Sequence, residues 1–210
     1  MKYLIFDAGP LINFSMNGLL DSFEKLKQTF KGEFLITKEV KKEIIDHPKT
    51  VKRFKLGAIR LEQLYNRGVF KLADINQEEV DELRRLRDNF LQKANSMFKT
   101  KKRDVHLLDK GECAALALST ILKRKTKQDA PLVIDERTTR ILCENPGNLK
   151  KLMEKKLHTS IKANVASYDL FKGFKIIRST ELAYIIHKKG LFNLDHPKAF
   201  EAIVYGLKFK

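Results

Sequence analysis

Long apolar runs are missing from this sequence. No stretch reaches the roughly 18 residues of a membrane-spanning helix, and the first apolar stretch is interrupted at Asp7, too early for a secretory signal. The expectation is therefore a cytoplasmic chain with no membrane partner. Cysteine is scarce: Cys113 and Cys143 lie in apolar surroundings, without the close Cys/His spacing of a zinc site. They read as buried free thiols of a reducing compartment. Neither a Walker lysine motif nor a dinucleotide glycine fingerprint follows the first strand, which leaves nucleotide-binding folds with little support. Internal repeats and low-complexity tails are absent as well.

Negative charge is also in short supply. The 26 Asp and Glu are outnumbered by 42 Lys and Arg, a formal net charge of +16. Such an excess favours a polyanionic partner. The 43% of hydrophobic residues in a chain of 210 is ample for a core, either in one large domain or in a domain carrying a sizeable insertion.

The pattern along the chain alternates strand and helix. "KYLIF" is an apolar strand, "GPLINFSMNGLLDSFEKL" has helical spacing, and "EFLIT" is a second short strand closed by Thr37, a plausible N-cap for "KEVKKEIID". His47 and Pro48 would end that helix. From about 50 to 104 the chain is strongly charged and helical in pattern, with "GVFKLADI" as a short strand or extended link. "LLDKGECAALALSTILKRKTK" is then a helix buried along much of its first half. "APLVIDERTTRILCENP" repeats the strand, acid, helix order, and "GFKIIRSTELAYIIHKKGL" gives a last strand and helix, Ser179 or Thr180 being the expected cap. An added helical or loop segment spans about 149–170. This alternation predicts a parallel sheet, whose sites gather beyond the carboxyl ends of the strands.

Four acids stand out by position: Asp7, Glu43, Glu112 and Asp135. Asp7 follows a buried strand directly and precedes Gly9 and Pro10, which suit a tight turn into a helix. Each acid also has a structural reading. Asp7 and Asp135 can each cap the helix that follows them, Glu43 can be a solvated helix residue, and Glu112 lies three residues after Asp109 at capping-box spacing. If all four converge, their repulsion calls for a cation, and carboxylate oxygens are the natural ligands of Mg²⁺ or Mn²⁺. Such a site can activate water against a phosphodiester without a covalent nucleophile. A haloacid-dehalogenase mechanism is disfavoured, because the second acid it needs two positions after the first is here Gly9.

The segments "YLIFDAGPLINF", "LITKEVKKEI", "LDKGECAALALS" and "LVIDERTTR", in that order, resemble the PIN-domain nucleases, a family that includes the VapC-type toxins. The resemblance covers residues 1 to about 145 in segments. It implies a three-layer αβα sandwich with a mainly parallel sheet, and Mg²⁺- or Mn²⁺-dependent endoribonuclease activity. It also implies Asp7, Glu43, Glu112 and Asp135 as catalytic and metal-binding residues, with Asp109 and Glu136 as secondary acids. The chain departs from small family members in the insertion at about 50–104 and the added segment at about 149–170. RNA is then the expected partner; a cognate antitoxin, a ribosomal precursor and a second copy of the chain are compatible with the same resemblance. The basic runs Lys99, Lys101, Lys102, Arg103 and Lys123, Arg124, Lys125 are candidate backbone contacts, with Phe98 a candidate stacking face. The competing reading is a noncatalytic RNA-binding or assembly factor on the same scaffold.

Overall fold

The computed structural model describes residues 2–101 and 103–208. Its centre is a sheet of five strands, all parallel, in the order β3-β2-β1-β5-β7. These are β1 (Lys2–Phe6), β2 (Gly32–Ile36), β3 (Phe70–Leu72), β5 (Leu132–Val133) and β7 (Ile176–Ile177). The short strands β4 (Phe98–Lys99) and β6 (Lys162–Ala163) form a separate antiparallel pair. β1 lies in the middle, and its residues Leu4, Ile5 and Phe6 are all buried. That is why its sequence is continuously apolar rather than alternating: both faces of a central parallel strand are covered.

Helices cover the two faces. On one side α1 (Ala8–Met16), α2 (Asp21–Thr29), α4 (Lys55–Asn66), α9 (Ser179–Lys188) and α10 (Ala199–Lys208) enclose a core rich in phenylalanine. Phe6 meets Phe23, Phe34 and Phe70 edge-on, with ring centroids 5.5, 5.3 and 5.2 Å apart, a geometry that adds to area burial. On the other side α5 (Gln77–Asn95), α6 (Lys110–Thr126), α7 (Arg137–Glu144) and α8 (Pro146–Leu157) pack around Ile5, Leu35 and Leu132. The architecture is thus the α/β, three-layer αβα sandwich expected from the sequence.

Three local expectations need correction. The charged stretch at about 50–104 does not lie wholly outside the sheet, because β3 pairs in parallel with β2 and forms its edge. Phe70 draws it in by packing on Phe6, Phe23 and Phe34, in a strand too short for alternation to reveal. Phe98 is no stacking face: it is fully buried, edge-on to Tyr168 at 6.4 Å. The cap of α9 is Arg178, and Ser179 is the first helical residue. α10 was not anticipated. It is held by buried Ile203 and Leu207, and by the Asn13 side chain, which donates to the Leu207 carbonyl at 2.8 Å.

Candidate acidic site at the carboxyl end of the sheet

Parallel strands release their chains at one end, and here the turns after β1, β2 and β5 all open at the same edge. The Asp7 backbone N–H donates to the Val133 carbonyl at 3.0 Å, which fastens the end of β1 to the end of β5. Asp7 then serves as N-cap of α1, its Oδ2 accepting from the Gly9 N–H at 3.4 Å. Pro10 follows in the first turn, where a missing N–H costs nothing. The result is a carboxylate only 7% exposed at the floor of a pocket of about 210 Å³.

Five acids line that pocket: Asp7, Glu43, Asp109, Glu112 and Glu136. Glu43 arrives by an irregular route. Thr37 caps the short helix α3 (Lys38–Lys41), accepting from the Val40 N–H at 3.2 Å. The helix then widens into a π-turn over Lys42–Asp46, closed by a bond from the His47 N–H to the Lys42 carbonyl at 2.9 Å. The wider turn lets the adjacent Ile44 and Ile45 both enter the core while Glu43 faces the pocket. Gly111, the second residue of α6, supplies the room. A Cβ there would sit 3.5 Å from Glu43 Oε2 and 3.8 Å from Asp7 Oδ1, so the two oxygens flank one point on the α6 backbone.

Glu112 combines the structural and the site readings. Its Oε2 accepts from the Asp109 backbone N–H at 2.8 Å, as the capping-box spacing predicts. Its Oε1 accepts from the Thr139 hydroxyl on α7, a fully buried residue left out of the sequence-based set. Burial pushes the Glu112 carboxyl up to about 7; the bonds from Thr139 and Asp109 oppose this, while the charges of Asp7 and Glu136 add to it. Glu43 is raised as well, first by desolvation and then by the charge of Asp109. As a residue Glu43 is exposed, yet its carboxyl end turns toward the pocket, which reconciles the exposure with the shift. Asp109 is exposed at the mouth, 2.8 Å from His106 Nε2.

The fourth expected acid, Asp135, is absent from the pocket lining, where its neighbour Glu136 stands instead. Asp135 makes bonds that join elements of the fold. Its Oδ1 accepts from the Ser179 N–H at 2.8 Å, and its Oδ2 from the Ser179 hydroxyl at 2.5 Å and the Asn13 amide at 3.2 Å. It therefore ties the end of β5 to the start of α9 and to α1, rather than capping α7. That helix is capped by Glu136, which accepts from the Thr138 N–H at 3.3 Å. Two acids in succession after a strand left the sequence with no way to tell which one faces the pocket.

Among the described residues, no three His, Cys, Asp or Glu side chains are drawn together closely enough to hold a metal ion as they stand. The donor set nevertheless suits a hard divalent cation. Every charged side chain of the described lining is a carboxylate, with no Lys or Arg among them. Two of these carboxyls are destabilised as anions by their surroundings, which a bound dication relieves.

The basic runs divide. Lys101 and Arg103 are exposed and line a cavity of about 580 Å³ with His106, next to the acidic pocket; Lys99 lies 3.5 Å from Asp104, and Lys102 falls outside the described residues. In the second run each cation has a carboxylate partner: Lys123 with Asp129 at 2.8 Å, Arg124 with Glu82 at 2.5 Å and Lys125 with Glu79 at 2.9 Å. No protein-family model matches the chain, and no curated protein matches it.

Proposed function

We propose that the chain is a PIN-type ribonuclease that hydrolyses RNA phosphodiester bonds with the help of Mg²⁺ or Mn²⁺. One observation carries this reading: five carboxylates from four separate segments line a single pocket at the carboxyl end of a parallel sheet, with no Lys or Arg among the described lining residues, in a chain whose formal charge is +16. Like charges placed this close cost free energy, and a bound dication offsets that cost.

Asp7, Glu43, Glu112 and Glu136 are the residues that would hold the ion, with Asp109 at the mouth. When bound, Mg²⁺ or Mn²⁺ supplies Lewis acidity toward water and the phosphate oxygens. The chain's own contributions are positional. The capping bond from Asp109 and the Thr139 hydroxyl fix both oxygens of Glu112. Asp135 fixes the β5 end through Ser179 and Asn13, and Gly111 keeps the α6 backbone close to Asp7 and Glu43. Lys101, Arg103 and His106 offer the adjoining cavity to a phosphate chain entering the pocket.

The noncatalytic alternative, an RNA-binding or assembly factor, has one observation in its favour: the carboxylates share a pocket without being gathered onto one point. Incubating end-labelled RNAs with the protein, with Mg²⁺, Mn²⁺ or chelator, separates the two. Cleavage that needs the metal and is lost in Asp7→Asn supports the nuclease. Tight binding with no metal-dependent cleavage by folded protein overturns it.

A further inference from the structure

At the opposite, amino-terminal end of the same sheet lies a larger cavity, of about 850 Å³, whose rim carries Lys2, Lys31, Lys127, Lys175 and Lys189. All five are exposed. Asp129 is the one acid among the described lining residues, and it is already held by Lys123 and Lys175, both at 2.8 Å. Among the described residues, the other four lysines have no carboxylate partner. The floor is of a different nature: the partly buried rings of Tyr3 and Phe30 lie there, beside Ile185, an isoleucine left 39% exposed. One face of Phe30 packs on Phe34, ring centroids 5.2 Å apart, and Gly32 lets its ring lie close, since a Cβ there would come within 2.7 Å of it.

Lys127 adds a second, independent feature. It ends α6 in the left-handed conformation, φ 57° and ψ 18°, with its N–H donating to the Lys123 carbonyl at 2.9 Å. Glycine or asparagine adopts this cap at less cost. Strained backbone of this kind persists where something else gains from the side chain, and here the side chain is a cation at the cavity rim.

We propose that this cavity is a docking site for single-stranded nucleic acid, separate from the acidic pocket. Unpaired lysines at a rim attract a phosphate chain, and the open parts of partly buried rings on an apolar floor accept bases by stacking. The combination of the two is the recognition mode of single strands. An anionic lipid surface needs charge on a flat or convex face instead, and a free phosphate has no use for the rings. The site requires no cleavage, so it stands or falls apart from the ribonuclease reading.

The test is fluorescence anisotropy with a labelled 12-nucleotide oligo(A) RNA in the presence of chelator, comparing the parent with the double variant Lys127→Gly, Lys189→Gln. The expected result is binding weakened about five-fold or more, with the salt slope reduced by about 0.7 for each lost phosphate contact. Lys127→Gly relieves the left-handed strain, so its melting temperature should equal or exceed the parent's, which separates lost binding from lost folding. Should the double variant not fold, Lys31→Gln with Lys189→Gln, both at exposed positions, is held to the same criterion. Equal affinity of parent and variant overturns the proposal. So does competition by AMP or inorganic phosphate at equal phosphate concentration, or binding of phosphatidylserine vesicles that depends on the same lysines. Loss of metal-dependent cleavage alone bears only on the ribonuclease.

Discussion

The two ends of the central sheet carry opposite charge and are assembled in different ways. At the carboxyl end, Asp7 and Glu136 come from the turns that leave β1 and β5, Glu43 from the π-turn after α3, and α6 delivers Asp109 and Glu112 at its start. At the amino end, Lys31, Lys127 and Lys175 come from the segments that enter β2, β5 and β7, beside Lys2 on β1 itself. Asp7 and Glu112 are buried, Glu136 is hydrogen-bonded into a cap, and Glu43 and Glu112 are raised in pKa. The lysines stand exposed, and most lack a partner. Confinement of like charge in a small pocket calls for a dication, whereas spread positive charge over an apolar floor suits an extended polyanion. The parallel topology makes this segregation possible, because each crossover carries the chain from one pole to the other.

The largest expected effect separates the poles by chemistry. Asp7→Asn and Glu112→Gln should each lower metal-dependent RNA cleavage by about 100-fold or more, while RNA binding measured in chelator is retained or tightened, since one negative charge is gone. Initial rates at saturating Mg²⁺ and Mn²⁺ check the first half, and anisotropy the second. A cleavage rate within a few-fold of the parent for both variants would mean that the acidic pole is structural.

A second effect is a pH dependence belonging to the acidic pole alone. Glu112 titrates near 7 in the folded protein against an ordinary value of 4.5. Below 4.5 it is protonated in both states, and its folded-state advantage is complete. Between 4.5 and 7 the unfolded chain gives up the proton while the folded chain keeps it, so stability falls as pH rises, by on the order of 3 kcal/mol, and levels off above 7. Glu43 adds in the same sense. Glu33, Glu79 and Glu82 are lowered by their Lys and Arg partners and act in the opposite sense, but below about 4.5. Urea unfolding of metal-free protein between pH 5 and 8 should therefore show a loss that Glu112→Gln flattens and that added Mg²⁺ reverses. A parent curve as flat as the variant's would remove Glu112 from the crowded cluster.

Asp135→Asn probes the correction made at the fourth acid. Asparagine keeps the shape but has one accepting oxygen for the three bonds from Ser179 and Asn13. We expect about 1–3 kcal/mol of lost stability, with the gain in melting temperature on adding Mn²⁺ largely preserved, in contrast to Asp7→Asn. If instead Asp135→Asn is stable and loses the Mn²⁺ response, Asp135 is a ligand and the assignment to Glu136 fails.

How much of this was legible in the sequence follows from which interactions are local. The strand, acid and helix order announced the parallel sheet, and with it the shared end for Asp7 and Asp135. The Thr37 cap and the Asp109–Glu112 spacing are contacts within one turn, and both were readable. Asp135 and Glu136 were not separable, because the choice depends on Ser179, 44 residues away. Thr139 was hidden for the same reason, since its partner Glu112 is 27 residues distant. β3 was legible only as a short strand or extended link, and the π-turn was hidden by the absence of any sequence signature in "KEIID". The amino-end cavity could not be read at all. Its lysines are scattered from position 2 to 189, and only the crossovers bring them together.

The smallest expected effect concerns the second of the two basic runs. "LKRKTKQ" places Lys123, Arg124 and Lys125 in a row at the end of α6, and a phosphate chain looks well served there. In the folded protein those cations face α5 and the β5 entrance. Arg124 meets Glu82 through both of its terminal nitrogens, and each of its neighbours has an acid of its own. A phosphate would have to displace a carboxylate to gain contact, so the net attraction is small even though the charge count is high. Arg124→Ala should therefore change RNA affinity in chelator by less than about two-fold and leave the salt slope unaltered, where loss of an unpaired rim lysine reduces the slope by about 0.7. Glu82→Gln provides the complement: by freeing Arg124 it should strengthen binding slightly, and the slope should steepen. If Arg124→Ala alone weakens binding as much as the loss of two rim lysines, then the second basic run is the RNA contact and the division of labour between the poles has to be redrawn.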